Sequence, residues 1–326
     1  MVSARARSLL SSAVVWDNHG CMPLRADAGF LPHLERYAKA GVTVASLNVG
    51  FADMTWAEHL KVLSFMRQWI AQRPEQYRLV ATVEQIRRCK ADGKLGIVFD
   101  VEGMGPVQDD VSFVQTFYEL GVRWMLIAYN RNNRAGGGCL DADGGLTAVG
   151  RAIISEMERV GMVLCLSHTG TRTAIEALAC ATKPVILSHS NPHADHPHPR
   201  NVSNDLIRAC AATGGVIGLS GIGQFLGATT GLVERLLRQL RYVIDLVGAE
   251  HVGLGLDYIF DESEAKDYMR AHPTLFPPGM ADQPLPMIEP EAFGAIADGL
   301  ARDLGDAQVR GILGENWLRV AQRVWR

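Results

Sequence analysis

Two apolar stretches decide how this sequence folds: MVLCLSH, residues 162–168, and VILSHS, residues 185–190. Each is a short run of apolar residues that leads into a serine and a histidine. A strand that is buried on both faces has a continuous apolar sequence, because neither of its faces meets water. We therefore predict two buried parallel strands, each with a histidine at its carboxyl end.

Six further runs of this kind occur along the chain, at residues 14–19, 42–49, 95–102, 124–129, 216–220 and 251–257. Between the runs, helical periodicity predicts helices over residues 55–72, 149–160, 171–179 and 232–247. Eight buried strands that alternate with helices are typical of a (β/α)8 barrel of the TIM type. A doubly wound sheet is the alternative. The barrel is favoured because polar residues follow many different strands, and barrel active sites lie at those strand ends.

Length and composition indicate one large folded unit. The chain has 326 residues, of which 48% are apolar and 21% are charged, so it can bury a large core. We predict long loops over residues 131–145, rich in asparagine and glycine, and 261–288, with five prolines. The alternation of strands and helices resumes after each loop, and we therefore predict a single barrel domain over residues 1–326.

Charge, hydropathy and cysteine content exclude several classes of function. The net charge of −3 lacks the basic excess that nucleic-acid binding needs, and no apolar run approaches the roughly 20 residues of a membrane span. Six cysteines without paired spacing indicate reduced thiols and a cytoplasmic location. Residues 1–15 loosely resemble a signal peptide, but they run directly into candidate site residues, so we predict a short helix and the first strand there.

Polar side chains at the ends of the predicted strands form the candidate site. His19, His168 and His189 each end a different strand, and Glu102 ends another. Imidazole and carboxylate groups together suit zinc or a similar divalent ion. A single buried histidine is more often a hydrogen-bonded core residue, whereas three of them with a glutamate favour a metal site. The histidines within residues 191–200 lie among prolines and are interpreted as part of a polar loop.

Seven motifs are spread from residue 17 to about residue 320. They are Asp17-Asn18-His19-Gly20-Cys21, Val101-Glu102-Gly103, Leu166-Ser167-His168, residues 184–190, Arg200-Asn201-Val202, Gly253-Leu254-Gly255-Leu256-Asp257 and residues 312–316. In order and context these motifs resemble the membrane (renal) dipeptidase family of zinc peptidases, which are amidohydrolase-like barrels.

The resemblance implies a metal-dependent hydrolase that cleaves the amide bond of a dipeptide. Glu102 would bridge two zinc ions; His19 and Cys21 would complete the shell of one ion, and His168 and His189 that of the other. A hydroxide held between the ions would attack the peptide carbonyl, because bound metal lowers the pKa of water.

Three more residues receive roles from the same resemblance. Asp257 would take the proton of the nucleophile and deliver it to the leaving amine. Arg200 would bind the C-terminal carboxylate of the substrate, which the guanidinium fork suits. Tyr129 stands where the family usually has a histidine that contacts the substrate. Its hydroxyl can donate a hydrogen bond to a developing oxyanion, or its ring can serve only in packing.

Cys21 is the main departure from the family's pattern, which usually has an aspartate ligand at this position. A thiolate binds zinc well, so the ion can persist in an altered shell. The other interpretation is that Cys21 is only a small buried residue and that the first metal position is weak or empty. Whether one or two ions bind is therefore left open.

Three functions are weighed from these residues. The first is cleavage of a dipeptide, and the second is the same metal barrel acting on another small amide, a lactone or a carbon–carbon bond. The third is a non-catalytic binding protein, against which the presence of Asp257 and Arg200 beside the histidines argues. The expected partner is a small-molecule or dipeptide substrate, with neither nucleic acid nor membrane. A homodimer is compatible with the resemblance, because relatives commonly dimerise.

Overall fold

In the computed structural model, which describes residues 2–25, 27–52 and 54–326, ten strands form one parallel sheet. The strands are β1 (Trp16–Cys21), β2 (Val44–Phe51), β3 (Tyr77–Leu79), β4 (Leu95–Glu102), β5 (Val122–Leu126), β6 (Val163–Cys165), β7 (Ile186–Leu187), β8 (Val216–Leu219), β9 (Val252–Leu254) and β10 (Tyr258–Ile259). Each of the eight predicted strands is present. The two that were not predicted, β3 and β10, are only three and two residues long.

The sheet closes on itself as a barrel. Its order is β10-β1-β2-β4-β5-β6-β7-β8-β9, and β3 pairs with β4 outside this path. The strands at the two ends of this order, β9 and β10, are consecutive in the chain. Together they occupy the position of the eighth strand of the barrel. Between them, Leu256 N donates to Asp17 Oδ1 (2.7 Å) and Asp257 N donates to His19 O (3.0 Å). The predicted (β/α)8 barrel is therefore confirmed.

Fourteen α-helices occur in the described part of the chain. They are α1 (Ala4–Ser12), α2 (Leu34–Lys39), α3 (Trp56–Ala71), α4 (Val83–Asp92), α5 (Phe113–Glu119), α6 (Ala148–Val160), α7 (Thr171–Cys180), α8 (Asn204–Ala212), α9 (Gly223–Leu226), α10 (Leu232–Val247), α11 (Glu262–Ala271), α12 (Phe293–Ala301), α13 (Asp306–Arg310) and α14 (Asn316–Val324). The four predicted helices match α3, α6, α7 and α10 to within one residue at each end. Among these helices, none has both the length and the apolar character that crossing a bilayer takes.

The barrel interior is filled with apolar side chains that close it at the amino-terminal end. One buried cluster takes residues from seven different strands, and only side chains that point inward can meet in this way. The cluster includes Trp16, Val44, Val98, Trp124, Cys165, Ile186, Val216 and, from α14, Trp317. The Trp317 indole donates to Leu254 O at 3.2 Å. In the described part of the chain, this packing leaves the carboxyl-terminal end of the barrel open for a site.

The prediction that residues 261–288 form a loop is wrong in part, because α11 occupies their first third. Asp261 caps this helix by accepting a hydrogen bond from Glu264 N at 3.1 Å, and Glu262 pairs with Lys266 one turn later. Acidic residues in the first turn favour a helix start. The prolines that indicated a loop begin only at Pro273, after the helix has ended.

Candidate metal centre

The carboxyl ends of five strands bring the predicted site residues to one mouth of the barrel. His19 lies within β1 and Glu102 ends β4. His168 and His189 follow β6 and β7, and Asp257 lies between β9 and β10. His168 and Asp257 have positive φ angles of 62° and 63°, so the backbone turns sharply where these side chains enter the mouth.

The three histidines converge on one oxygen of Glu102. Glu102 Oε1 lies 3.1 Å from His168 Nε2, 3.2 Å from His189 Nε2 and 3.7 Å from His19 Nε2. The Nε2 atoms of His168 and His189 are only 2.9 Å apart. All four side chains are buried.

Hydrogen bonds on the far side of each ring indicate its protonation. His19 Nδ1 lies 3.3 Å from Asp100 Oδ2, and His168 Nδ1 lies 2.7 Å from Asn130 Oδ1. Both oxygens accept hydrogen bonds, so each Nδ1 carries a proton. Nε2 of the neutral His168 ring therefore presents a lone pair to the site, and Nε2 of His19 does so once that ring has lost its second proton. The third imidazole bonds through its Nδ1 to the hydroxyl of Ser188 at 2.7 Å.

This arrangement fits a divalent metal ion. Glu102 Oε1 is buried and has no hydrogen-bond donor among the described residues. Lone pairs of imidazole nitrogens therefore face a carboxylate oxygen, which would leave several buried acceptors without partners. A cation satisfies all of them at once, and nitrogen with carboxylate oxygen is a donor set that divalent transition metals prefer.

A second group of ligand atoms adjoins the first. Cys21 Sγ lies 3.0 Å from Asp257 Oδ1 and 3.4 Å from His19 Nε2, and the last two atoms are 3.6 Å apart. Two sets of ligand atoms are close enough to hold an ion, namely His19, His189 and Asp257, and Glu102, His168 and His189. The structure thus brings together every residue that the sequence proposed as a ligand, with Cys21 beside the first set.

Burial controls the pKa of three groups. It raises the pKa of Glu102 to about 8 and lowers the pKa values of His168 and His189 well below their usual range. Charged forms are poorly solvated inside the barrel. Neutral imidazole is the form that binds a metal, and a nearby cation would favour the carboxylate form of Glu102.

The side of the site around β1 is rich in negative charge. Burial alone would lower the pKa of His19, but the carboxylates of Asp100 and Glu102 raise it to about 10. Burial, together with the carboxylate of Asp257, raises the pKa of Cys21 well above its usual value. A bound cation would oppose these shifts, because it favours deprotonated ligands.

Arg200 and Tyr129 lie in the wall of the cavity above the metal centre. Arg200 is 4% exposed, its Nη2 donates to His189 O at 3.3 Å, and its Nε has no hydrogen-bond partner among the described residues. The ring of Tyr129 stacks on His168 with centroids 4.2 Å apart. Burial raises the pKa of Tyr129 well above its usual value, so its hydroxyl stays protonated. Both residues line a cavity of about 330 Å³.

Three supporting residues received no role from the sequence, although two of them stand among the polar residues at the predicted strand ends. They are Asp100 and Asn130, which hold two of the imidazoles, and Ser220, whose hydroxyl donates to Asp257 Oδ2 at 3.2 Å. A signal for Asp100 was present: it lies two residues before Glu102 in the same strand, so both side chains point to the same face. The histidines of residues 191–200 contribute no ligand atom to either candidate set, in agreement with their interpretation as loop residues.

A parallel (β/α)8 barrel whose mouth holds histidines and carboxylates in this arrangement defines a metal-dependent hydrolase. The chain belongs to the membrane dipeptidase family (peptidase family M19), whose model matches residues 4–271. Membership of this family confirms the predicted resemblance, and with it a metal-dependent hydrolase of dipeptides as the class of activity.

Individual proteins are similar to this chain over most of its length. An uncharacterized protein in the pqqA 5′ region of Klebsiella pneumoniae is 29% identical over 294 residues, which cover 84% of this chain and 97% of that protein. Dipeptidase verJ of Clonostachys rogersoniana is 27% identical, over 81% of this chain and 64% of its own. The crystal structure of an amidohydrolase from Pseudomonas aeruginosa superposes with a TM-score of 0.89, at 26% identity, over 98% of this chain and 99% of that one.

Proposed function

We propose that this protein is a zinc-dependent dipeptidase whose metal ligands are His19, Cys21, Glu102, His168 and His189. The observation that carries the proposal is the convergence of three imidazole nitrogens on the unpartnered Oε1 of Glu102. Imidazole and carboxylate with a nearby thiol are the ligand types of zinc. His189 belongs to both candidate sets, and Glu102 Oε1 lies within 3.7 Å of a histidine nitrogen of each set, which supports a bridging role for Glu102 and room for two ions.

Cys21 is proposed as a ligand and not as a spacer. Its sulfur lies within 3.4 Å of His19 Nε2 and 3.0 Å of Asp257 Oδ1, so it already belongs to the group of converging donor atoms. The protonated thiol now donates to Asp257. A coordinating thiol loses its proton, and this would release Asp257 Oδ1 from that hydrogen bond.

Asp257 is proposed to move the proton of the reaction. A bound divalent ion supplies a water of lowered pKa and polarises a carbonyl oxygen. Ser220 holds Asp257 Oδ2, so Oδ1 remains to accept the proton and to pass it to the leaving amine. Asp257 lines the same cavity as Glu102, which supports this role.

Arg200 and Tyr129 are proposed to bind the substrate. The Nε of Arg200 lacks a partner, and a substrate carboxylate would supply the acceptor that this buried guanidinium needs. Tyr129 keeps its proton and can donate a hydrogen bond to the oxyanion that develops on the scissile carbonyl.

The first test is hydrolysis of a panel of dipeptides, with L-L and L-D pairs, by zinc-reconstituted protein, with chelator-treated protein as the reference. Metal-dependent cleavage is expected, and Asp257→Asn should abolish turnover while thermal unfolding stays close to that of the parent. Asp205→Asn, at an exposed carboxyl, is the matched control and should keep full activity. Folded, zinc-loaded protein that cleaves no dipeptide would contradict the proposal and direct the search to other amides and to lactones.

We also propose a cytoplasmic location and a homodimer. The location is supported by six cysteines that are all free, because thiols persist in reducing compartments. Cell fractionation checks the location, and light scattering in solution checks the dimer. Recovery of the protein outside the cytoplasm, or a monomer mass, would contradict the respective part.

A further inference from the structure

Four aromatic side chains form a continuous surface along one side of the cavity, and we call them the aromatic wall: Phe51, Tyr129, Tyr268 and Phe276. Their rings contact one another in a closed cycle. The ring centroid of Phe51 lies 4.9 Å from that of Tyr129 and 4.9 Å from that of Tyr268. Phe276 completes the cycle at 6.1 Å from Tyr129 and 6.2 Å from Tyr268. All four residues line the same cavity as Glu102.

The aromatic wall is backed by its own apolar cluster. Met269, Phe276 and Leu285 are buried together, and Phe51 and Tyr129 pack against them. Its buried residues all come from residues 261–288, and Tyr129 connects it to the apolar cluster of the barrel interior. A packed cluster holds its surface in place before a ligand arrives, so the wall is a preformed apolar surface.

The order of strands places the aromatic wall opposite Arg200. Phe51 ends β2 and Tyr129 follows β5, with β4 between these two strands. If β9 and β10 are counted as one position, β8 is the fourth strand from β4 in either direction around the barrel. β8 therefore lies opposite β4. Arg200 lies between β7 and β8, and its guanidinium packs over the ring of Phe225 on α9, just after β8. The metal centre lies between the two sides.

The carboxylates at the rim of the cavity are already paired within the protein. Asp261 and Glu264 both form ion pairs with Arg25. Glu58 accepts hydrogen bonds from the backbone N and the hydroxyl of Thr55, at 2.8 and 2.7 Å, in the cap of α3. A cationic side chain of a substrate would therefore compete with existing partners for each of them, and an anionic one would be repelled.

We propose that the aromatic wall is the specificity surface for the side chain of the substrate's N-terminal residue and that it selects large apolar side chains. This rests on the proposed function: a dipeptide whose carboxylate binds Arg200 and whose amide lies at the metal centre extends its N-terminal residue toward the opposite side. Contact with the wall buries that side chain, and a phenyl ring gains edge-to-face contacts with the four rings.

The test on the parent protein compares kcat/KM of zinc-loaded enzyme for Ala-Ala, Leu-Ala, Phe-Ala, Lys-Ala and Glu-Ala. The C-terminal alanine is kept constant, in L and in D form. We expect Leu-Ala and Phe-Ala to exceed Ala-Ala by roughly 10-fold or more, since apolar pockets discriminate to this degree. Lys-Ala and Glu-Ala should fall below Ala-Ala. Equal values for Ala-Ala and Phe-Ala, or a preference for a charged residue, would overturn the inference.

Variants connect the preference to the wall. Phe276→Ala should lower the ratio of kcat/KM for Phe-Ala to that for Ala-Ala, and Phe51→Ala provides an independent test if the first variant unfolds. Trp56→Ala is the matched control: this aromatic side chain is 49% exposed, stacks on Phe113 and does not line the cavity. In the Trp56 variant, the ratio of kcat/KM for Phe-Ala to that for Ala-Ala should equal the ratio of the parent protein. An unchanged ratio in both wall variants would contradict the assignment.

The outcomes separate the two proposals. If no dipeptide in the series is cleaved by folded, zinc-loaded protein, the proposed function fails and the inference fails with it. If Ala-Ala is cleaved in a zinc-dependent reaction but side-chain size has no effect, the dipeptidase assignment stands and only the role of the wall is overturned.

Discussion

Every imidazole of the metal centre depends on a neighbour for its orientation. Asp100 holds His19 and Asn130 holds His168, in each case through Nδ1, so that Nε2 faces Glu102. Groups in this position fix the ring and raise its basicity as a ligand. We therefore expect the affinity for the metal to depend on residues that do not touch it.

Asp100→Asn tests this dependence. The amide is a weaker acceptor for the Nδ1 proton of His19 and can also turn its NH2 toward the ring, so we expect zinc affinity to fall by about 10- to 100-fold. Competition with a chromophoric chelator measures it. Asp110→Asn, at an exposed carboxyl that accepts from Ser112 N, is the control and should bind zinc as the parent does. An Asp100 variant with parental affinity would contradict the role of this carboxylate.

Cys21→Asp places at this candidate ligand position the carboxylate that the resemblance to the family leads us to expect there. The Cys21 thiol must lose a proton before it can bind a metal, and its pKa is raised well above its usual value. An aspartate side chain offers a hard oxygen ligand without this requirement, so zinc should bind more tightly at the first metal position. Metal analysis after dialysis should show more zinc retained per chain, or a lower dissociation constant. Cys180→Asp changes an exposed cysteine in the same way and serves as the comparison. Unchanged zinc content and affinity in the Cys21 variant would remove the idea that this position limits metal binding.

At the scale of elements, the segment that leads from β7 to His189 lies close to the backbone of its neighbours. β7 has only two residues, and glycines flank the carbonyl of Ser188 just after it. A Cβ on Gly218 would lie 2.2 Å from Ser188 O, and one on Gly255 would lie 2.1 Å from it. Gly218 lies in β8 and Gly255 directly follows β9. Their backbone can approach Ser188 this closely only because neither residue has a side chain.

Gly255→Ala should therefore destabilise the barrel. The added methyl group would collide with backbone and not with a flexible side chain, so we expect a loss of about 1–3 kcal/mol in the free energy of unfolding. Urea denaturation measures this loss. Gly144→Ala, where an added Cβ would meet nothing within 4 Å, is the matched control; a change within about 0.5 kcal/mol is expected there. Equal stability of the two variants would show that the barrel relaxes around Gly255.

For the whole molecule, the candidate metal centre concentrates buried ionisable groups at the mouth of the barrel. His19, His168, His189 and Glu102 are all at most 6% exposed. Such groups need a counter-charge, and a bound cation supplies it. Metal that binds only the folded chain also stabilises that state.

Chelation should accordingly lower the temperature of unfolding. Free zinc at 100 times its dissociation constant stabilises a folded protein by about 2.7 kcal/mol, which corresponds to several degrees in a chain of this size. Calorimetry with and without chelator measures the difference. The double variant His168→Ala/His189→Ala should lose this zinc-dependent difference, and a difference as large as that of the parent would contradict the assigned ligands.

Most of the fold and of the metal centre could be predicted from the sequence. Strands buried on both faces have continuous apolar sequences, and a parallel barrel brings all carboxyl ends of its strands to one mouth. The position of His19, Glu102, His168 and His189 at strand ends was therefore enough to place them together, although His19 and His189 lie far apart in the chain.

Other features were decided only by the tertiary structure. Cys21 contacts Asp257 across 236 residues of sequence, and the aromatic wall joins the ends of β2 and β5 to residues 261–288. Periodicity reports which face of an element is buried, but it does not report which other element covers that face. The contacts between distant segments arise when the barrel closes and its loops fold over the mouth, so their partners depend on the packing of the whole chain.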